Sequence, residues 1–171
     1  GYYHGVLESL PTLELKLPNL TFDTNIVFHG SKLTAEVTAF DNGHTPSDAI
    51  LTIPGLRIGF LGDLLFVGMH PWLARGDPTE LIRILDRIET FGLKAIVPGH
   101  GQLGTTEAFA ILRHYVADLE KMAAQVVQEG GTEDEAAQKS MPSGYASWGF
   151  SDFFGPNMRF LYKRLSKTTS T

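Results

Sequence analysis

The chain has 171 residues, of which 43% are hydrophobic and 19% charged, and its net charge is −5. This length predicts one domain, residues 1–171, with a sizeable core. The acidic balance excludes a nucleic-acid backbone as a partner, and the lack of a long apolar run excludes a membrane span. The absence of cysteine excludes disulfides, thiolate zinc sites and a cysteine nucleophile.

The sequence begins with Gly1 instead of Met, and we expect it to be part of a longer protein. No secretory signal is visible. A chain without cysteine is also compatible with a reducing compartment. Together these features predict a cytoplasmic location.

The first part of the chain predicts a β-sheet. Apolar and polar side chains alternate in short segments, or form short apolar runs, between turn residues. Pro54-Gly55 is a strong turn pair and predicts a hairpin between the last two strands. The predicted strands are residues 12–17, 26–29, 33–40, 50–54 and 56–61.

From residue 77 onward the apolar residues follow the period of a helix. Asp77 is the expected N-cap, with Pro78 at the first helical position and Glu80 at the third. Gly92 is the expected end of this helix. A short buried strand is predicted at residues 94–98.

The C-terminal part predicts mainly helices, so that residues 12–104 carry the sheet and residues 105–167 form a helical segment. A long helix begins with Thr105 or Thr106 as its cap and ends at Gly130. The remaining predictions are a short polar helix at 132–139, a packed loop at 141–154, a terminal helix at 157–167 and a frayed tail at 167–171.

Three candidate metal ligands follow apolar runs at glycine turns. His44 lies in Gly-His-Thr-Pro-Ser-Asp, Asp63 in Gly-Asp-Leu-Leu and His100 in Pro-Gly-His-Gly. Zinc, iron and manganese accept imidazole and carboxylate ligands, and a carboxylate can bridge two ions. A preceding glycine lets the backbone turn sharply and direct each side chain into a shared cleft. The three residues predict part of a two-metal site.

The order and spacing of these motifs resemble the C-terminal motifs of the metallo-β-lactamase-fold hydrolases, between residues 13 and 104. The resemblance implies an α/β (α+β-like) fold: half of a four-layer αββα sandwich, with a mixed or antiparallel sheet and helices on one face. It implies that His44 binds one metal, His100 binds the second, and Asp63 bridges both. The implied cofactor is a pair of zinc ions, with iron or manganese as alternatives.

The same resemblance implies a small-molecule substrate, namely an ester, thioester, lactam or phosphoester that metal-activated hydroxide attacks. The family's first motif, His-x-His-x-Asp-His, does not occur in this chain. That motif would supply the other ligands and the aspartate that activates water. The remaining histidines are too far apart in sequence to replace it. We therefore expect partial or absent metal occupancy and no useful catalysis by this chain alone.

A second hypothesis is a non-catalytic half-domain. Half of a sandwich leaves one apolar face of the sheet without its partner layer. Two copies that pack through this face would bury it with twofold symmetry. This hypothesis predicts a homodimer.

Other residues near the candidate ligands have two open roles each. Asp48 could orient His44 by a hydrogen bond, or could cap a turn. His70 could line a substrate pocket, or could belong to a structural turn. An aromatic cluster is expected to cover the core under the last helices, with a role at the substrate entrance as the alternative: Trp148, Phe150, Phe153 and Phe154.

Overall fold

The computed structural model describes residues 2–168, with the side chains of residues 4–167. Five helices occur in this part of the chain: α1 (Tyr2–Ser9), α2 (Pro78–Glu89), α3 (Glu107–Gln128), α4 (Glu133–Ala137) and α5 (Phe154–Thr168). It also contains five strands: β1 (Asn25–His29), β2 (Thr34–Asp41), β3 (Ser47–Ile53), β4 (Ile58–Val67) and β5 (Ala95–Gly101).

The strands form one mixed sheet in the order β1-β2-β3-β4-β5. The first four are antiparallel neighbours, and β5 runs parallel to β4 because α2 crosses back between them. Ile53 pairs with Ile58 across a 3₁₀ turn at Pro54–Leu56, which confirms the predicted hairpin. The chain therefore has the mixed α/β architecture that the sequence predicts.

The core lies between one face of the sheet and the helices α2, α3 and α5. Ile50 and Leu61 of the sheet are buried in the same cluster as Leu85, Phe109 and Leu161 of these helices. The opposite face of the sheet carries apolar side chains that stay partly exposed. The predicted placement of helices on one face is confirmed.

Helix α2 begins where the sequence predicts, because its first turn is capped locally. The Asp77 carboxylate accepts hydrogen bonds from the amides of Thr79 (2.8 Å) and Glu80 (3.3 Å). Gly92 has a φ of +61° just after the helix, as expected for a glycine stop. At α3, Thr106 occupies the predicted N-cap position, but its side chain makes no capping hydrogen bond.

The prediction of a strand at residues 12–17 is wrong. Residues 13–24 form no helix or strand, and Leu15 is 87% exposed. Alternation favours a strand only where a partner strand pairs with the segment, and none of the five strands in the described part of the chain pairs with residues 12–17. Helix α1 was not predicted either, and α5 begins three residues before the predicted position 157.

Two further predictions concern the ends of the chain and its location. The predicted frayed tail falls mostly on residues 169–171, which lie outside the described residues. Within the described part of the chain, no helix has the length and apolar character needed to cross a membrane.

Candidate metal centre

His44 lies in the turn between β2 and β3, and Asp48 holds this turn. The Asp48 carboxylate accepts hydrogen bonds from the amides of His44 (2.9 Å) and Thr45 (3.1 Å) and from the Thr45 hydroxyl (2.8 Å). Gly43 and Gly76 pack backbone against backbone, since a Cβ on Gly76 would overlap the Gly43 carbonyl. Asp48 thus acts as the turn cap and fixes His44 through its main chain.

Asp63 and His100 lie on the neighbouring parallel strands β4 and β5. The regular pairing of the two strands is interrupted on both sides of Gly62, which has a φ of +52°. Gly99 packs directly against this point, because a Cβ there would overlap the Asp63 carboxylate and lie 2.6 Å from the Gly62 carbonyl carbon. Two glycines therefore let the carboxylate and the imidazole approach each other.

The structure brings the three predicted ligands together. Asp63 Oδ2 lies 3.9 Å from His44 Nδ1, and Asp63 Oδ1 lies 3.5 Å from His100 Nε2. Each carboxylate oxygen thus faces a different imidazole. The Asp63 and His100 side chains are 43% and 42% exposed, whereas that of His44 is 11% exposed. The centre is open to solvent on the side of Asp63 and His100.

Burial favours the neutral form of the His44 imidazole. It lowers the pKa of His44 below its usual value of 6.5, against the carboxylates of Asp63 and Asp48, which raise it. The charges of His100 and Arg75 lower the pKa further. His44 Nε2 is buried without a hydrogen-bond partner. A neutral imidazole is the form that binds a metal ion, and Nδ1, not the unpartnered Nε2, is the nitrogen that faces Asp63.

An aromatic side chain that sequence reasoning missed lies between the two histidines. The buried Phe66 ring is stacked on His100 at 5.0 Å between centroids and is tilted toward His44 at 5.8 Å. Sequence patterns do not distinguish Phe66, because an aromatic residue in a buried strand is ordinary core composition. Its ring limits the movement of both candidate ligands.

His70 lies away from this centre, in the helical part of the core. Its side chain is fully buried, with Nδ1 2.9 Å from the Tyr115 hydroxyl and Nε2 3.3 Å from the Tyr145 carbonyl oxygen. Rings of Trp148 and Phe154 surround it. These are the contacts of a side chain that is packed into the core.

The three candidate ligands are of the residue types found in two-metal sites, but they are too few to hold two ions. Two imidazoles and one carboxylate are ligand types that suit zinc, and the Asp63 oxygens face one nitrogen of each imidazole. However, each ion would receive only one imidazole and one carboxylate oxygen, where zinc usually has three or four protein ligands. Among residues 4–167, whose side chains the structure describes, no three side chains of His, Cys, Asp or Glu are placed to hold one ion.

Comparisons with known proteins agree with this donor chemistry. The sequence pattern of the metallo-beta-lactamase superfamily matches residues 10–100. A metallo-beta-lactamase from Pontibacter korlensis is 22% identical, with a TM-score of 0.55 over 66% of this chain and 54% of that chain. The sec-alkylsulfatase Pisa1 from Pseudomonas sp. is 18% identical, with a TM-score of 0.62 over 86% of this chain and 26% of that chain. A comparison with curated proteins found no match.

The two kinds of comparison carry different weight. At these low identities the solved structures show a shared fold alone, and this chain spans about half of the first and about a quarter of the second. The superfamily match covers more than half of the chain and includes the three candidate ligands. Proteins of this superfamily generally bind metal, often zinc, and membership suggests a hydrolase. The chain belongs to the metallo-beta-lactamase superfamily.

Proposed function

We propose that this chain carries the C-terminal ligand set of a two-metal hydrolase that acts on an ester, thioester, lactam or phosphoester. His44 would hold one ion, His100 the other, and Asp63 both. The observation that carries the proposal is the position of Asp63, whose two oxygens face the two imidazoles separately. When bound, a metal pair of this kind polarises the scissile group and lowers the pKa of water.

The residues of this chain hold and orient the site. Asp48 fixes the main chain of His44, and Phe66 packs between the two imidazoles. Asp63 supplies negative charge between two positions where cations would bind. Because each ion would have only two donors from the described residues, we expect weak zinc binding and no hydrolysis without further ligands.

A calorimetric zinc titration of the chain tests this assignment. Asp63→Asn should abolish binding at both positions, because an amide is a poor substitute for a bridging carboxylate. His44→Gln and His100→Gln should each remove one position. His114→Gln replaces an exposed histidine on α3 and should leave the titration unchanged. Zinc binding that survives Asp63→Asn, or that His114→Gln removes, would contradict the proposal.

A second candidate function is self-association through the open face of the sheet. Val37, Leu51 and Phe60 are cross-strand neighbours on this face, and none of them is buried. An exposed apolar area of this kind is typical of an interaction surface. Two copies that pack face to face would cover it with twofold symmetry, and such a homodimer would need no metal.

A further inference from the structure

The chain segments that follow β4 and precede α5 meet beside the candidate metal centre. Gly149 donates a main-chain hydrogen bond to the Gly68 carbonyl (3.0 Å) and accepts one from the His70 amide (2.9 Å). The Phe153 amide donates to the Phe150 carbonyl (2.9 Å) and closes a 3₁₀ turn. The backbone of Phe150 is therefore held on both sides.

Phe150 has an unfavourable backbone conformation. Its φ of 59° and ψ of 36° lie in the left-handed region, where a bulky side chain is an outlier. Such a conformation persists only where the surrounding structure fixes it, and such outliers cluster at functional sites. The side chain is 41% exposed, so full burial of the ring does not explain why phenylalanine occupies this position.

The ring of Phe150 belongs to a continuous row of aromatic contacts. It meets the His100 ring at 5.1 Å and 80°, and the Phe153 ring at 5.3 Å. Phe153 in turn meets Trp72 at 5.2 Å. We name Trp72, Phe153 and Phe150 the aromatic row. One end of the row contacts a candidate metal ligand, and that end is exposed.

We propose that the aromatic row is the wall of an apolar subsite that holds an aromatic group of the substrate beside His100. The proposal rests on the proposed two-metal function, which places the reacting group of the substrate near His100. Aromatic groups bind aromatic walls in edge-to-face or offset geometry, and small-molecule sites combine such walls with a few polar groups. Phe150 is the specificity-determining residue, because it contacts His100 and is exposed to an incoming ligand.

The test uses 2-naphthoate as the probe and acetate as the matched ligand without rings. Nuclear magnetic resonance titrations of the full chain follow the His100 ring and the Trp72 indole. We expect naphthoate to shift both signals to saturation and acetate to leave Trp72 unchanged. Phe150→Asn removes the ring at a residue type that tolerates the left-handed conformation. This variant should weaken naphthoate binding about three- to tenfold without lowering the melting temperature.

Two further variants serve as controls. Phe150→Tyr keeps the ring and should retain naphthoate binding. Phe91→Asn removes a similarly exposed phenylalanine (38%) and should leave naphthoate binding unchanged. Phe91 lies near the start of β5, whereas His100 lies near the end of that strand. If Phe150→Asn lowers the melting temperature and leaves naphthoate affinity intact, Phe150 serves to cover the core and the proposed subsite is overturned.

Zinc titration of the same samples separates this inference from the proposed function. If zinc binds through Asp63 and naphthoate causes no shift, the subsite is overturned and the two-metal function stands. If naphthoate binds through Phe150 and zinc binding survives Asp63→Asn, the subsite is supported and the two-metal function fails.

Discussion

At the scale of single residues, Gly99 controls whether Asp63 can lie between the two histidines. The main chain of β5 passes so close to β4 here that no side-chain atom fits on Gly99. The obstacles are the Asp63 carboxylate and the Gly62 backbone, and backbone cannot move aside without disturbing both strands. The position of the carboxylate between the two imidazoles therefore depends on a residue that has no side chain.

We expect Gly99→Ala to reduce the free energy of unfolding by about 1–3 kcal/mol, as overpacking at a closely packed position does. Displacement of Asp63 should also weaken zinc binding beyond any loss of folded protein. Gly55→Ala is the control, because a Cβ on Gly55 meets nothing within 4 Å. Urea unfolding and zinc calorimetry measure the two effects. A Gly99→Ala protein with wild-type stability and zinc affinity would contradict this view of the site.

At the scale of elements, His70 links the end of β4 to the helical segment. The Tyr145 carbonyl oxygen can only accept, so His70 Nε2 donates to it, and Nδ1 accepts from the Tyr115 hydroxyl. This arrangement requires a neutral imidazole. Burial lowers the pKa of His70 below 6.5, and the hydrogen bond to the Tyr145 carbonyl opposes this shift. Protonation at Nδ1 would reverse this hydrogen bond, because the Tyr115 oxygen would then have to accept, and it would place a charge in the buried core.

This arrangement predicts that the chain loses stability in mild acid. Because the pKa of His70 is lower in the folded than in the unfolded chain, its contribution is complete above the unfolded value of 6.5 and is lost as the pH falls through the folded pKa. One such group gives a slope of at most about 1.4 kcal/mol per pH unit.

His70→Gln should be less stable at pH 7.5, because the tyrosine contacts are lost, and should show a smaller slope of unfolding free energy between pH 7 and pH 5. His44, whose pKa is also lowered, contributes a slope of the same sign, so the difference from wild type is the quantity to measure. His114→Gln is the control for the same substitution at an exposed position on α3. Equal slopes for His70→Gln and wild type would show that His70 does not titrate as described.

Sequence analysis correctly located the elements whose positions are determined by residues close together in the sequence. Asp77 and the residues it caps are consecutive, and so α2 could be placed from its first turn. The three metal-ligand candidates also stand in short local motifs. The partners of His70 lie 45 and 75 residues away, so only the fold reveals that this histidine is buried. The position of Phe150 beside His100 depends on the fold in the same way.

At the scale of the whole molecule, the two faces of the sheet differ. One face is sealed by α2, α3 and α5. The other face carries a continuous set of apolar side chains that are partly or fully exposed, and cross-strand pairing places them side by side: Ile26, Phe28, Val37, Leu51, Phe60 and Val97. Exposure of these apolar side chains to water is unfavourable, which favours the binding of another apolar surface to this face.

We expect the chain to form dimers through this face at micromolar concentration, which sedimentation velocity would detect. Phe60→Lys places a charge at the centre of the face, and we expect it to weaken dimerisation at least about tenfold, the loss typical of a central interface residue. Val27→Lys is the matched control. Val27 is as exposed as Phe60 (40% and 41%) but points to the other side of the sheet, so its dimer should persist.

The effect of zinc on the oligomeric state distinguishes the two candidate functions. Dimerisation through the open face should not depend on zinc, because His44, Asp63 and His100 need not take part in it. A dimer that forms only with zinc, and that Asp63→Asn dissociates, would mean that two copies share metal ions at the candidate centre. A wild-type chain that stays monomeric at high micromolar concentration would exclude self-association through the open face. Metal binding by Asp63 and the two histidines would then be the remaining candidate function.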